Sequence, residues 1–349
     1  MIFTVFLKHV ATGDKFELPF ESVNYVEELN NGSSATFNLD YATINDQVAI
    51  PYGTNPKDLF TAVLSEIWVE NDSGIKLWFG LVTEYARTKD ASGNNKLQIA
   101  AIDYFGIFQK RRTGASVDFT SVDPATIPWS LINTSQLLTH GDLGITVGVT
   151  ASTGLTVTQN YKRADIKQSI SDLSNFKLKN SFDFDIDYTK KLNIYYPTKG
   201  SLRANVVFDD SNILGDAVKI PVLLNMTNSV FARGQGINND VPEVNRQSLD
   251  AIIAEYTLLE DVLSDTTTSD TTVLSNEGDR KLALEQLPLY AITIKHDIDT
   301  DITTYGLGDT VIVNIPEEQI SYAQYRVKKR TVDIDDSGTL IVQLDLLTI

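Results

Sequence analysis

The sequence predicts a mainly β protein that carries one α+β segment and one partly helical insert. Short stretches of alternating apolar and polar residues recur in both halves of the 349-residue chain and end at turns such as Asn71-Asp72-Ser73-Gly74, as expected for antiparallel strands. Residues 164–178 instead repeat apolar residues at helical spacing. A polar, threonine-rich interval, residues 238–287, then interrupts the second β region. These patterns favour several small modules over one large core.

Residues 1–114 are predicted to form the first domain, an antiparallel β-barrel. Strands that are this frequent and are joined by short turns favour a closed or nearly closed barrel over a βαβ sheet. A short helix over Tyr104–Gln109 and the basic cluster Lys110–Arg112 mark the end of the domain. The predicted strands are Ile2–Lys8, Lys15–Phe20, Val23–Leu29, Ala35–Leu39, Ile67–Glu70, Lys76–Leu81, Thr83–Arg87 and Lys96–Ile102.

Residues 115–200 are predicted to form an α+β domain. Ile166, Ile170 and Leu173 occupy positions i, i+4 and i+7, so that a helix over Ala164–Leu178 has an apolar face that must pack on a neighbour. An earlier helix is predicted over Pro124–Leu138. Its apolar positions are Ile127, Leu131, Leu137 and Leu138.

A hairpin is predicted to supply the surface on which this helix packs. Its first strand alternates apolar residues with aspartates, in the order Phe182, Asp183, Phe184, Asp185, Ile186, Asp187 and Tyr188. We expect the aspartates to lie on the solvated face of a half-buried strand. They do not fit a calcium loop, which needs a glycine and a glutamate where this chain has Tyr188 and Ile194.

Residues 201–237 and 288–349 are predicted to form a second barrel, which the insert 238–287 splits in sequence. Four strands are expected at its end, over Ala291–Lys295, Thr310–Ile315, Tyr325–Ile334 and from Leu340 onward. On the last strand, alternate residues share one face and predict a core contact: Leu340, Val342, Leu344 and Leu346. Their expected partners are Ala204–Phe208 and Leu223–Arg233.

The insert itself is predicted to lie at the periphery or at a subunit contact. Its helix is expected over Val273–Leu287, with Leu274, Leu282 and Leu284 as apolar positions. The polar tract Asp265–Thr272 resembles an excursion from the surface, and we expect its deletion to be tolerated.

Charge and composition exclude several classes of protein. The 29 Lys and Arg against 46 Asp and Glu give a formal charge of −17, which argues against tight binding to a phosphate backbone. The chain has no cysteine, and therefore no disulfide framework or thiolate metal site. It also lacks an apolar run of about 18 residues and a basic, apolar leader, so that no membrane-spanning segment and no signal peptide are predicted.

The sequence predicts no catalytic, cofactor-binding or metal-binding residues and no enzymatic activity. Motifs for nucleotide binding, serine hydrolases and zinc proteases do not occur, and Gly234-Gln235-Gly236 fits a strand end better than a dinucleotide loop. A second aspartate series consists of Asp297, Asp299 and Asp301, and it has Ile302 and Gly308 where a calcium loop needs glycine and glutamate. The three histidines, His9, His140 and His296, are widely separated in the sequence, and each is expected to have an isolated polar role.

The order of the pieces resembles the baseplate hub proteins of long-tailed phages, also called tail-associated proteins, which are related to hubs of contractile injection systems. The resemblance covers nearly the whole chain. It depends on five stretches in this order: Tyr25–Leu39 (YVEELNNGSSATFNL), Lys76–Leu81 (KLWFGL), Leu97–Arg112 (LQIAAIDYFGIFQKRR), Ile166–Pro197 (IKQSISDLSNFKLKNSFDFDIDYTKKLNIYYP) and Tyr305–Val313 (YGLGDTVIV).

The resemblance implies two tube-type barrels, the second one split, with the α+β domain between them and the small insert as a fourth domain. It implies a homotrimer at the tail tip of a virion, synthesised in the host cytoplasm. The trimer would cap the tail tube, adapt it to the tip and open to let the genome pass. The implied partners are the tail tube or a distal tail protein ring and tail fibre or tip proteins, with DNA only as passing cargo.

The end of the sequence and its charge refine what is expected of such a hub. The sequence ends directly after the second barrel, without the peptidase, lysozyme or fibre domain of many hubs, so that wall digestion and receptor binding are not expected. Because passing DNA must not be held, we expect the channel wall to be acidic or neutral. The basic clusters Lys110–Arg112 and Lys328–Arg330 should then face neighbouring subunits or solvent.

Two alternatives remain open at the level of sequence. A distal tail protein would also be rich in strands, but it would form a hexameric ring with a single tube barrel. A carbohydrate-binding or adhesive β protein would need an exposed row of aromatic side chains, for which Trp68, Trp78, Trp129 and the tyrosines are the candidates.

Overall fold

The computed structural model describes residues 2–9, 12–89, 92–175, 182–215, 218–221, 226–236, 240–265, 268–286 and 290–348. Within these residues the chain is mostly β, with several sheets and a few helices. The mainly β class with an α+β part, predicted from the sequence, is confirmed at this level.

The strands in chain order are β1 (Phe3–His9), β2 (Lys15–Leu18), β3 (Ser22–Glu28), β4 (Ser34–Asp40), β5 (Ser65–Asn71), β6 (Lys76–Lys89), β7 (Asn95–Ile102), β8 (Val117–Val122), β9 (Thr146–Val147), β10 (Val157–Tyr161), β11 (Asp183–Ile186), β12 (Lys191–Tyr195), β13 (Leu202–Asp209), β14 (Val218–Pro221), β15 (Ser229–Arg233), β16 (Glu243–Gln247), β17 (Glu260–Ser264), β18 (Tyr290–Asp297), β19 (Thr310–Ile315), β20 (Ile320–Asp335) and β21 (Leu340–Thr348). The α-helices are α1 (Tyr41–Ile44), α2 (Pro56–Leu59), α3 (Ile127–Gln136), α4 (Ile166–Asn175), α5 (Asp250–Tyr256) and α6 (Thr271–Glu285).

One large sheet joins the two ends of the chain. Its 13 strands run in the order β14-β18-β21-β20-β3-β4-β7-β6-β5-β1-β2, with β19 and β13 branching from β20. The two β regions meet where Lys329–Asp335 of β20 pairs in antiparallel fashion with Ser22–Glu28 of β3. The sequence did not predict this ladder, which makes one continuous surface of two regions that were expected to form separate barrels.

The two barrels themselves stay a prediction. Among the described residues the hydrogen-bonded order ends at β14, at β2 and, on its branch, at β13. The strands of the first region lie close to their predicted positions, except that Lys76–Leu81 and Thr83–Arg87 form the single strand β6. An irregularity in the pairing between Val82 and Glu84 explains the break in the apolar alternation at this point.

The segment between the two β regions has both helices and strands, as predicted. Helix α4 buries Ile166, Ile170 and Leu173 against the hairpin of β11 and β12. Residues 176–178, the predicted end of this helix, lie outside the described residues. Helix α3 ends at Gln136, so that Leu137 and Leu138 are not core residues as predicted but are 79% and 60% exposed.

The strand predicted over Leu223–Arg233 does not pair with the final strands of the chain. Residues 222–225 lie outside the described part, and β15 forms its own sheet between β16 and β17 of the insert. Helix α6, predicted over Val273–Leu287, contacts this sheet and buries Leu274 and Leu282, whereas the Leu284 side chain is outside the described part. The insert therefore has a small sheet and helix of its own, completed by a strand that precedes it.

Two apolar cores hold the fold together. The larger core packs against the large sheet and includes Tyr25, Phe37 and Phe208, together with the predicted inward row of β21. The smaller core lies between α3, α4 and the hairpin, and it extends to Phe105 and Phe108 at the exit of the first region. Burial of apolar side chains on this scale is the main stabilising contribution to the fold.

Candidate functional site

The outer face of the large sheet is the most extended polar surface that the strand pairing creates. Directly opposite residues of paired strands point to the same side of a sheet. Starting from Asn24 on β3, the register leads to Asp333 on β20 in one direction and to Thr36 on β4 in the other. The same rule continues to Ile341 on β21 and Ala100 on β7. This surface is called the polar face here; it covers β18, β21, β20, β3, β4 and β7.

Most side chains of the polar face are uncharged. They include Ser22, Asn24, Ser34, Thr36, Asn38, Gln98, Ala100, Thr293, Thr331 and Gln343. Cross-strand hydrogen bonds hold several of their polar atoms. Asn38 Nδ2 donates to Ser22 Oγ at 2.9 Å, and Asn24 Nδ2 donates to Asp333 Oδ1 at 2.6 Å. Such lateral bonds keep the surface ordered.

The charges on the polar face have a slight acidic excess. The register places on it six carboxylates, three lysines and one arginine, which pairs with Asp183: Glu28, Asp40, Asp297, Asp333, Asp335, Asp345, Lys96, Lys295, Lys329 and Arg326. Lys96 forms ion pairs with Glu21 and, at 3.7 Å, with Asp40. A surface of this composition has no dense row of cations on which a phosphate backbone could be held.

A buried ionic cluster lies beneath the polar face at the junction of β3 and β20. Arg330 Nη2 is 2.6 Å from Glu27 Oε2, and Tyr25 and Tyr305 are beside this pair. Burial is the largest single effect and disfavours the charge of Arg330, but the fields of Glu27, Tyr25 and Tyr305 and the hydrogen bond to Glu27 together outweigh it and raise the pKa of the guanidinium. For the Tyr25 phenol, burial is the largest effect and raises its pKa. Both groups therefore keep their ordinary charge states, and the cluster acts as a fixed contact.

His296 belongs to the same interior and is fully buried. Its Nδ1 donates to the Asp297 carbonyl at 2.8 Å, so that the unprotonated Nε2 accepts from the Tyr305 hydroxyl. Burial disfavours the charged imidazole and is the largest effect that lowers the pKa of His296. The isolated polar role predicted for the three histidines stays a prediction.

Asp183 corrects the predicted solvated face of the hairpin. Its carboxylate is buried, accepts from Arg326 Nη2, and also accepts from Asn30 Nδ2 at 2.8 Å and from the Lys199 amide at 2.6 Å. The prediction was wrong at this position because the cationic partner on β20 is distant in sequence. This contact links the hairpin to both β regions.

Two other aspartates, one from each series, accept hydrogen bonds within their own turns. Asp187 Oδ1 accepts from the amides of Thr189 and Lys191 at 2.8 and 3.1 Å. Asp301 Oδ1 accepts from the Thr303 amide at 2.8 Å in the same way. In the described part of the chain, no group of three or more His, Cys, Asp or Glu residues is placed to hold a metal ion.

A cavity of about 220 Å³ opens at the meeting point of the first β region and the hairpin. Its wall includes Glu28, Trp78, Asp185, Tyr188 and Lys199. Lys199 Nζ pairs with Asp185 Oδ2 at 2.7 Å inside it. In the same wall the Ser33 hydroxyl donates to Asp103 Oδ2 at 2.9 Å.

The three tryptophans proposed for sugar binding do not form an exposed row. Trp68 and Trp78 are only 6% and 1% exposed. Trp129 packs half-buried against the smaller core. A sugar platform needs an accessible ring face, which among the aromatic candidates the exposed tyrosines Tyr52, Tyr188 and Tyr322 offer.

The basic cluster on β20 is only partly directed outward. Lys328 Nζ lies 3.8 Å from Glu28 Oε1 in a half-exposed pair, whereas Arg330 is buried in its own chain. The expectation that the whole cluster Lys328–Arg330 faces solvent or a neighbour was therefore wrong for Arg330. Alternation alone could have indicated this, since Arg330 shares its inward parity with Val332 and Ile334.

No α-helix within the described ranges combines the length and the apolar character that a membrane crossing requires. No protein-family model matches the chain, and no curated protein matches it. The comparison with solved structures, in contrast, finds similar folds over nearly the full length.

Two tail proteins match almost end to end. A tail protein from Neisseria meningitidis MC58 has a TM-score of 0.66 and 13% identity, covering 99% of this chain and 97% of its own. The 43 kDa tail protein of prophage MuSo2 from Shewanella oneidensis has a TM-score of 0.65 and 10% identity, covering 98% and 97%. At such identities the likeness establishes the fold.

A third match comes from a secretion system. The E. coli c3393 protein, a component of the type VI secretion system that is itself similar to the T4 tail proteins gp27 and gp5, has a TM-score of 0.54 and 8% identity, covering 95% of this chain and 74% of its own. The chain thus has the fold of phage tail and baseplate-hub-like proteins, and the resemblance predicted from the sequence is confirmed.

Proposed function

We propose that this chain is the trimeric hub of a phage-type tail, a structural virion protein that caps the tail tube, adapts it to the tail tip and opens for the genome. The observation that carries the proposal is the ladder between β3 and β20, which joins two β regions into one sheet with a continuous polar face. Two similar β regions in each chain would supply six sectors from three copies, which matches a tube of sixfold order.

The proposed domains keep the boundaries that were predicted from the sequence, except that one strand is moved to the insert. They comprise a tube-type barrel over 1–114, an α+β domain over 115–200, a split barrel over 201–237 and 288–349, and an insert over 238–287. Strand β15 pairs with β16 and β17, and we therefore assign residues 229–233 to the insert.

The polar face would line the channel in this assembly. With mostly uncharged side chains and a small excess of carboxylates, it would repel a passing DNA phosphate backbone weakly. DNA would then be a transient cargo, and the role of the wall would be passive. The stable partners would be the tail tube or a distal tail protein ring on one side and tip or fibre proteins on the other.

The ring order tests the proposal. Electron-microscopy class averages of the purified protein, and of tails that contain it, should show threefold rings with a central channel. Sixfold rings with one tube barrel per subunit would favour the distal tail alternative instead. A chain that stays monomeric within assembled tails would contradict the hub function altogether.

A further inference from the structure

A basic patch lies on this acidic protein where the first β region enters the α+β segment. Two backbone hydrogen bonds hold its two segments together: the Thr113 amide donates to the Ala164 carbonyl at 2.9 Å, and the Arg163 amide donates to Gly114 at 3.0 Å. The patch consists of Lys110, Arg112, Lys162, Arg163 and Lys167, which are exposed or half-buried. Within the described residues, Arg112 and Asp165 form its one ion pair, at 2.6 Å.

Two exposed leucines extend the basic patch. Leu137 and Leu138 follow α3 and are 79% and 60% exposed. Arg111 fixes their loop beside the patch, because its Nη2 donates to the Gly141 carbonyl at 3.2 Å. Adjacent exposed apolar side chains bordered by charge are typical of an interaction surface rather than of a solvated one.

The insert presents a surface of the same kind and the opposite charge. Residues 238–287 hold eleven Asp and Glu against three Lys and Arg, a net −8 within a chain of −17. Helix α5 has no buried residue, and the segment around it exposes Glu255 and Glu260. Leu249 and Leu258 flank this helix and are 76% and 47% exposed. We call this surface the acidic face of the insert.

We propose that the basic patch of one copy docks on the acidic face of the insert of a neighbouring copy. The contact joins two different surfaces, so that it is head-to-tail and can close into a ring. Each surface pairs exposed leucines with one sign of charge, and the two are complementary in both respects. Duplex DNA would satisfy the cations alone and leave the leucines uncovered. The inference rests on the ring assembly of the proposed function and names the subunit contact that closes it.

Charge exchange between the two surfaces tests the contact. The patch variant carries Lys110→Glu and Lys162→Glu, the insert variant carries Glu255→Lys and Glu260→Lys, and a third variant combines all four. Sedimentation of the full chain at low and high salt measures self-association. Each two-residue variant should associate about tenfold more weakly, and the combined variant should recover most of the loss because the charges are again opposite. The exposed Lys57→Glu serves as a matched control that should change nothing.

The outcomes separate this contact from the function of the hub. Threefold rings that form equally well in the patch variant would overturn the contact and leave the hub intact. A wild-type chain that does not self-associate at low salt would overturn both. If a short DNA duplex bound the wild type, was lost in the patch variant, and self-association stayed unchanged, the patch would belong to DNA and the contact would be wrong. Circular dichroism of each variant confirms that it is folded.

Discussion

Arg330 and Glu27 face each other directly across β20 and β3 and form an ion pair beneath the polar face. Both Nη2 and Nε of Arg330 approach the same carboxylate oxygen, at 2.6 and 2.8 Å. A shift of one residue along this ladder would bury the guanidinium without its partner, at a cost of several kcal/mol. The pair therefore fixes the register in which the two β regions join.

We expect the Arg330→Met substitution to lower the free energy of unfolding by about 3 kcal/mol, because it leaves the half-buried Glu27 carboxylate without its counter-ion. Lys328→Met is the matched control on the same strand. Its pair with Glu28 is half-exposed at 3.8 Å, and its loss should cost about 0–1 kcal/mol. Urea denaturation measures both, and equal losses would contradict a role of the buried pair in stability.

Acidification should weaken the fold through His296. Burial lowers the folded-state pKa of His296 below its ordinary value of 6.5, so that the unfolded chain takes up the proton first as the pH falls. The contribution of this residue is then complete above pH 6.5 and is lost as the pH falls through the folded-state pKa. Thermal melting of the wild type between pH 7.5 and 5 should show this loss, and His296→Gln should show a shallower slope.

His9→Gln serves as the control for the pH experiment, since His9 ends β1 away from this interior. Its slope should match that of the wild type. An unchanged slope in His296→Gln would mean that other groups cause the pH dependence.

A close backbone approach predicts that Gly200 tolerates no side chain. Its φ is +89°, and an added Cβ would lie 2.4 Å from the carbonyl carbon and oxygen of Gly308. Gly215 has a similar φ of +75° but open space around it. We expect Gly215→Ala to cost about 1–2 kcal/mol for the left-handed backbone and Gly200→Ala to cost about 2–5 kcal/mol, because backbone must also move. Chemical denaturation of the two variants would separate the cost of the left-handed backbone from the cost of the clash with Gly308. Equal losses in the free energy of unfolding would contradict the close approach.

Charge reversal on the polar face should slow genome delivery. Asp333→Lys together with Asp345→Lys gives the proposed channel wall five lysines in place of three, and added cations hold phosphate by counter-ion release. Tails should assemble in normal yield while DNA ejection, followed by dye release in single particles, becomes slower. Glu317→Lys, on an exposed turn, should leave ejection unchanged. Normal ejection in the double variant would remove the passive-conduit mechanism.

Local alternation predicted most strands, and it also predicted which residues of a strand share a face. The inward row of β21 and the apolar face of α4 are confirmed because each depends on the periodicity of one element. The same periodicity would assign Thr331 and Asp333 to one face, but it does not reveal that β3 is the neighbouring strand. Strand neighbours separated by some 300 residues leave no local signal.

A long-range partner also explains one error. Asp183 was expected in water because its alternation is that of a solvated face, yet Arg326 compensates its charge from 143 residues away.

The tolerance of a deletion of Asp265–Thr272 stays a prediction. Asp270 accepts from the Thr272 amide at 2.7 Å and caps α6. Deletion of this tract should therefore loosen the helix of the insert.

The ladder between β3 and β20 can form only late in the synthesis of the chain. Strand β3 can pair with β4 as soon as both leave the ribosome, but its other edge waits for residues 329–335. At about 5–20 residues per second, the nascent chain carries this open edge for about 15–60 s. Unpaired edges recruit foreign strands, so that a chain truncated before β20 should aggregate during translation. Completion of the polypeptide is thereby a precondition for a soluble subunit.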